Sequence, residues 1–130
     1  MVKIILASKS KVRREILEKN NVIVQVEPSN IDEDEVKKSL LKEKASPEII
    51  SKNLAELKAN KISKNNNEVL VIGADSVIDL EGELISKPES REEAMLILRK
   101  LNGKRHYLIS SVCISKGGNM VWNYTDKAAL

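Results

Sequence analysis

Val69-Leu-Val-Ile-Gly-Ala-Asp75-Ser-Val-Ile-Asp-Leu-Glu-Gly-Glu-Leu-Ile-Ser-Lys87-Pro88 is the stretch from which the fold is read. Val69 to Ile72 is a continuous apolar run, the pattern of a strand covered on both faces. Gly73-Ala74 follows, and Asp75 falls where that strand is expected to end. Open α/β sheets bind ligands beyond the carboxyl ends of their strands, so this is a suggestive place for an acid. A short alternating run, a Glu81-Gly82 turn and a second short strand ending at Lys87-Pro88 complete a hairpin. Asp75 and Lys87 at the two ends of one hairpin can face one ligand. On spacing alone the plainer reading, a loop acid near a loop lysine, has the better claim.

The 130 residues fit one domain (residues 1–130) with enough chain to bury a core. Hydrophobic content of 42% and charged content of 32% are those of an ordinary globular protein. A net charge of +3, spread along the chain, is too mild to argue for nucleic acid, and aromatics at 2% leave few stacking platforms. Anionic small molecules stay open. Cys113 is the one cysteine; it lies in an apolar run and reads as a buried structural thiol, which fits a reducing compartment. No apolar stretch reaches membrane-spanning length and no signal-peptide core is present, so the expectation is a cytoplasmic protein.

Outward from the opening stretch, Val2 to Ala7 reads as a first, central strand. Ser8-Lys-Ser10 leads from it into a helix over roughly Lys11 to Asn20, with Ile16 and Leu17 marking the apolar face. Arg13 shares that side, while Arg14 is rotated outward. A helix N-terminus with serine hydroxyls and a guanidinium suits a phosphate. A plain serine N-cap beside a solvated basic turn explains the residues equally well. Val22 to Val26 reads as a second strand. Ile31 to Glu35 reads as an acidic loop, either solvated or helping to hold a divalent cation. Val36 to Lys44 is a charged, variable excursion with helix as one option.

Ser46-Pro47-Glu48 is a helix start, with a serine cap, proline at N1 and an acid in the first turn. Ile50, Leu54 and Leu57 mark its buried stripe to about Lys64. Lys58 lies at the stripe edge, where it either snorkels to water or reaches a buried anion. Ser90 with Glu93 forms a capping box, and Ala94, Ile97, Leu98 and Leu101 give the next helix its face. Tyr107 to Ser115, a Gly117-Gly118 turn and Met120 to Tyr124 read as a closing hairpin. His106 reads as a structural or rim residue.

Six pieces then stand in order along nearly the whole chain. They are Leu6-Ala-Ser8-x-Ser10-x-x-Arg13-Arg14-Glu-Ile-Leu17, Asp32-Glu33, Leu54-Ala-x-x-Lys58-Ala59, Ile72-Gly-Ala-Asp75-Ser76-Val77, Gly82-Glu-x-x-x-Lys87-Pro88 and Leu98-x-x-Leu-x-Gly103-x-x-His106. Together they resemble the Maf family, the septum-formation-inhibitor-like nucleoside triphosphate pyrophosphatases. The resemblance implies an α/β fold, a mixed β-sheet with flanking helices like that of the inosine triphosphatases. It implies cleavage of a non-standard, modified or pyrimidine nucleoside triphosphate to the monophosphate and pyrophosphate. In that pattern Asp75 matches the proposed base. Ser8, Ser10, Arg13, Lys58 and Lys87 match substrate-binding positions, and Glu33 matches an acid associated with a divalent cation, Mg²⁺ or Mn²⁺. A homodimer is implied as well.

Departures from the pattern bear on the base. Lys11 stands where proline is common. Val12, at a specificity position, leans toward the subgroup preferring 7-methyl-GTP, while Ser76 resembles the threonine of the dTTP/UTP-preferring one. Thr125 to Leu130 carries no cap or stop signal, and because chains resembling this family run longer, the resemblance implies that the family's C-terminal third is lacking. Asp126-Lys127-Ala128 looks like the first letters of a later family motif but comes too soon after His106, and is taken as coincidence. The alternative to an enzyme is a catalytically impaired nucleotide-binding or regulatory module linked to cell division.

Overall fold

The computed structural model describes residues 4–8, 10–85 and 90–129. In chain order the elements are β1 (Ile4–Leu6), α1 (Lys11–Lys19), β2 (Gln25–Val26), α2 (Glu33–Lys42) and α3 (Pro47–Ser63). After them come β3 (Leu70–Leu80), β4 (Glu83–Ile85), α4 (Arg91–Leu101), β5 (His106–Lys116) and β6 (Asn119–Ala129). The strands form one mixed sheet in the order β2-β1-β3-β5-β6, with β4 paired to β3. β1 runs parallel to β2 and β3, and the remaining pairs are antiparallel. The expected α/β class with a mixed sheet and flanking helices is therefore the one observed.

The opening stretch behaves differently from its expectation in one respect. β3 does not end at Asp75 but runs eleven residues through it, paired with β5 from Val71↔Ser115 to Leu80↔His106. On its other edge β3 pairs with β1 only as far as Leu6↔Ile72, where the Ala7 amide donates to the Ile72 carbonyl at 2.8 Å. β4 takes up the same edge at Ile78↔Ile85. Between these, residues 73–77 of β3 have no strand beside them among the described residues. A parallel strand leaves this edge and an antiparallel one joins it, which leaves a notch across the middle of β3 among the described residues.

Helix α3 is the main cover of the sheet. Ser46 caps it by accepting from the Ile49 amide at 3.3 Å, with Pro47 at the first position, as the sequence predicts. Its buried face, however, is Ile50, Leu54, Ala55, Lys58, Ala59 and Ile62, whereas Leu57 is exposed. Ala55, Ala59 and Ile62 pack with Ile5, Ala7, Val71 and Cys113. Fully burying an Ile50 or Leu54 side chain stabilises by roughly 1.5–3 kcal/mol. The approach is close because β3 offers no side chain at Gly73: a Cβ there would lie 2.3 Å from the Ala55 carbonyl oxygen and 2.7 Å from the Ala59 nitrogen.

Several local expectations shift. The second strand shrinks to Gln25–Val26, and the acidic stretch is a helix start in which Asp32 caps α2 by accepting from the Glu35 amide at 3.1 Å. Three acids in the first turn of α2 match the positive end of the helix dipole. The apolar faces of α1 and α4 are not buried; Ile16 and Leu98 are exposed. β6 extends to Ala129, so Thr125 to Ala129 continues the strand. The Glu81-Gly82 and Gly117-Gly118 turns have positive φ at both residues, the geometry of a tight hairpin. The strand end at Lys87-Pro88 lies outside the described residues. No helix among the described residues is long and apolar enough to cross a membrane.

Candidate functional site

A cleft of about 870 Å³ opens at the notch in β3. Its first wall is the loop that leaves β1. Ser8, buried there, accepts from the Ser10 amide at 3.1 Å and from Arg13 Nη1 at 3.1 Å. Ser10 caps α1 by accepting from the Arg13 amide at 3.2 Å. The serine loop, the first turn of α1 and the guanidinium are thus locked to one another, and Ser8, Ser10 and Arg13 all line the cleft. Arg14 turns away and pairs with Glu18 at 2.9 Å.

The second wall is built by α3 against β3. Lys58 is buried, not a stripe-edge lysine reaching water. Its ammonium has three acceptors: Glu33 Oε1 at 2.5 Å, Asp75 Oδ1 at 3.3 Å and the Ala74 carbonyl at 3.2 Å. Two turns earlier, the buried Ser51 hydroxyl donates to the Asp75 carbonyl at 3.2 Å. The close seat of α3 on Gly73 is what brings both side chains into reach.

Charge in the cleft follows from this packing. Burial pushes the Asp75 carboxyl above its ordinary value, an effect that Lys58 opposes by charge and hydrogen bond without cancelling it. Glu33 feels a burial penalty too, but the Lys58 hydrogen bond and the charges of Lys58, Lys37 and Arg13 outweigh it and hold it low. Two carboxylates on one ammonium are therefore driven apart. Asp75 Oδ2 is buried with no hydrogen-bond partner among the described residues. A stranded acceptor of this kind costs roughly 1–3 kcal/mol and calls for a ligand to explain it.

Of the residues singled out from sequence, Ser8, Ser10, Arg13, Glu33, Lys58, Asp75 and Ser76 all line the cleft. Val12 is 64% exposed and is not among the lining residues. Lys87 lies outside the described residues. Ser51 and Lys37, which also line or support the cleft, carried no sequence signal: one is a serine within a helix, the other a lysine in a charged run.

No group of three or more His, Cys, Asp or Glu side chains gathers to hold a metal among the described residues. The donor set still fits a hard divalent cation of one kind. Mg²⁺ commonly keeps several waters and is held by one or two carboxylates together with substrate phosphates. The unpartnered Asp75 Oδ2 and the nearby Glu33 supply that number of carboxylates.

A model of the Maf-like protein family matches residues 3–129. The chain belongs to the Maf family. It is 72% identical, over its whole length, to a nucleoside triphosphate pyrophosphatase of Pelagibacter ubique, of which it covers 67%. It is 40% identical over 99% of its length to a protein of the same name from Ruegeria pomeroyi, covering 65% of that protein. It is 35% identical over 98% of its length to a 7-methyl-GTP pyrophosphatase of Brucella abortus, covering 64%. The chain thus spans about two thirds of the length of these Maf relatives. In fold it is similar to a HAM1 protein from Coxiella burnetii, with a TM-score of 0.61 at 13% identity over 99% of this chain and 71% of that one. A dITP/XTP pyrophosphatase from Mycobacterium abscessus gives 0.57 at 13% identity over 98% and 71%.

Proposed function

We propose that the cleft hydrolyses a nucleoside triphosphate with a non-standard, modified or pyrimidine base to the monophosphate and pyrophosphate, with Asp75 as general base. The observation that carries this reading is the state of Asp75: a buried carboxyl held above its usual range, one oxygen on Lys58 and the other without a partner among the described residues. A raised pKa brings a carboxylate closer to the operating pH of a base. The water oxygen bonds to the α-phosphorus and its proton passes to Asp75. The bond from that phosphorus to the α–β bridging oxygen breaks, and pyrophosphate leaves with the bridging oxygen.

Phosphoryl chemistry rests on positioning and charge neutralisation. Arg13, tied to the Ser8-Ser10 loop, offers a fork to phosphate oxygens, while Lys58 fixes the orientation of Asp75. Lys87 keeps a phosphate-binding role on its sequence position alone. A divalent cation held by Glu33 together with the substrate's own phosphates would offset charge building on the phosphate oxygens. The homodimer and a link to septum formation belong with this proposal and rest on family membership, and the cytoplasmic setting rests on the sequence's cysteine usage and hydropathy.

The test is pyrophosphate release from a panel of standard and modified nucleoside triphosphates with Mg²⁺ or Mn²⁺. At least one is turned over, and Asp75→Asn lowers that rate by about 10²–10⁴-fold while nucleotide affinity holds. Full activity in Asp75→Asn removes the aspartate from the role of base. Nucleotide binding with no release of pyrophosphate favours the regulatory module instead.

A further inference from the structure

Asp75 and Ser76 are neighbours on a strand, so their side chains leave β3 on opposite faces. Both nevertheless line the same cleft, because the cleft wraps around the edge of β3 at residues 73–77 that no strand covers among the described residues. The two faces differ in chemistry. On the α3 side lie Lys58 and Asp75, the charged pair. On the other side, Ser76 shares its face with Ile78 and its cross-strand partner Leu108, and Ile97 of α4 adds a further apolar contact to the lining. Among the described residues the polar feature of the β3–β5 pair beside Ser76 is a pair of hydroxyls, with Asp126 of β6 one strand further on, opposite Ser110. Ser76 stands directly opposite Ser110 of β5, with the two oxygens 3.2 Å apart.

We infer that Ser110 is a specificity-positioning residue: its hydroxyl orients that of Ser76, and the pair meets the hydrogen-bonding edge of a nucleobase lying on the Ile78–Leu108 side. This rests on the proposed nucleotide reading of the cleft. Ser110 is half-buried behind the exposed Ser76 and does not itself line the cleft, so it acts through its partner. Either oxygen can donate to the other. A hydroxyl that donates to its neighbour presents an acceptor to a ligand, and one that accepts keeps its proton to donate. The pair therefore selects by which polarity Ser110 leaves at Ser76, and removing Ser110 releases that choice. An apolar site with few hydrogen-bonding groups discriminates chiefly through those groups.

The experiment is calorimetric titration of the unchanged chain, Ser110→Ala, Ser110→Val and Ser110→Thr. The probes are non-hydrolysable analogues of UTP, CTP, GTP and ATP, with inorganic tripolyphosphate as a probe that lacks a base. Ser110→Ala and Ser110→Val change the ratio of affinities among the four bases by about five- to tenfold, the size of one hydrogen bond. Tripolyphosphate affinity stays constant, and Ser110→Thr, which keeps the hydroxyl, restores the original ratios. Equal losses for all four bases, a parallel loss for tripolyphosphate, or no change at all each overturn the assignment while leaving the nucleotide reading intact. If neither the nucleotides nor tripolyphosphate bind the unchanged chain, the nucleotide reading falls and the assignment falls with it.

Discussion

Gly73→Ala is a one-atom change whose effect can be worked out from the contact it disturbs. The added Cβ would sit 2.3 Å from the Ala55 carbonyl oxygen, 2.7 Å from the Ala59 nitrogen and 2.9 Å from the Ala59 Cβ. Two of these are backbone atoms of α3, so no side chain can swing aside. Restoring ordinary contact at 3.4 Å or more requires α3 to lift from β3 by roughly 1 Å. Overpacking of this kind costs about 1–3 kcal/mol, and the rigid backbone contact places Gly73→Ala at the upper end. The same lift takes Lys58 Nζ from 3.3 Å to about 4 Å or beyond from Asp75 Oδ1, loosening the hydrogen bond. Lys58 is what holds the Asp75 pKa down against burial, so the pKa rises further and the acid limb of the pH–rate profile moves to higher pH. Urea titration measures the first effect and pyrophosphate release against pH the second. A variant as stable as the parent, with an unmoved acid limb, would refute the claim that Gly73 sets the distance between helix and carboxylate.

Two further outcomes follow from the buried charges. The folded-state pKa of Asp75 is raised, so its contribution to stability is fully present below the unfolded value near 4 and is lost as pH rises through the raised one. Asp75→Asn escapes that loss, and urea titrations from pH 4 to 8 should show its stability climbing relative to the parent; a gap independent of pH contradicts the burial argument. Lys58→Met removes the ammonium shared by Glu33 and Asp75 and should lower turnover by about 10²–10³-fold. Its partner loss also shows in Glu33, whose carboxyl should titrate higher by NMR; an unmoved Glu33 titration would deny the bridge.

Local chemistry was legible in the sequence, and contacts across the chain were not. Ser46-Pro47 and Ser90 announced α3 and α4 because a cap is written within four residues. β3 was read as stopping at Asp75 because its pattern changes there, from a continuous apolar run to alternation. The change marks the point where β1 ends beside it, not the end of β3. Apolar periodicity picked Leu57 for the buried stripe and placed Lys58 at its edge. The real face is set by Ala55 and Ala59, small residues that matter because Gly73 lies opposite. Lys58 finds its acceptors 17 and 25 residues away in sequence, beyond any local pattern. The family motifs nevertheless pointed to seven residues that line one cleft. Ser51 and Ser110 stayed hidden because a serine inside a helix or strand has no spacing signature.

The shallow seating of the three smaller helices has a mechanical consequence for this cleft. Asp75 and Lys58 are anchored on β3 and α3, which share the core, whereas α1, α2 and α4 bury no side chain among the described residues. Arg13 and Glu33 ride on that lightly held set. Local opening free energies fall where few apolar contacts are buried. The carboxylate is thus an anvil fixed to the middle strand, and the arms that meet a phosphate chain can move at little energetic cost. Tightening on a ligand would then leave the Asp75 carboxylate in place on β3, while the Lys58 ammonium follows the Glu33 carboxylate paired to it.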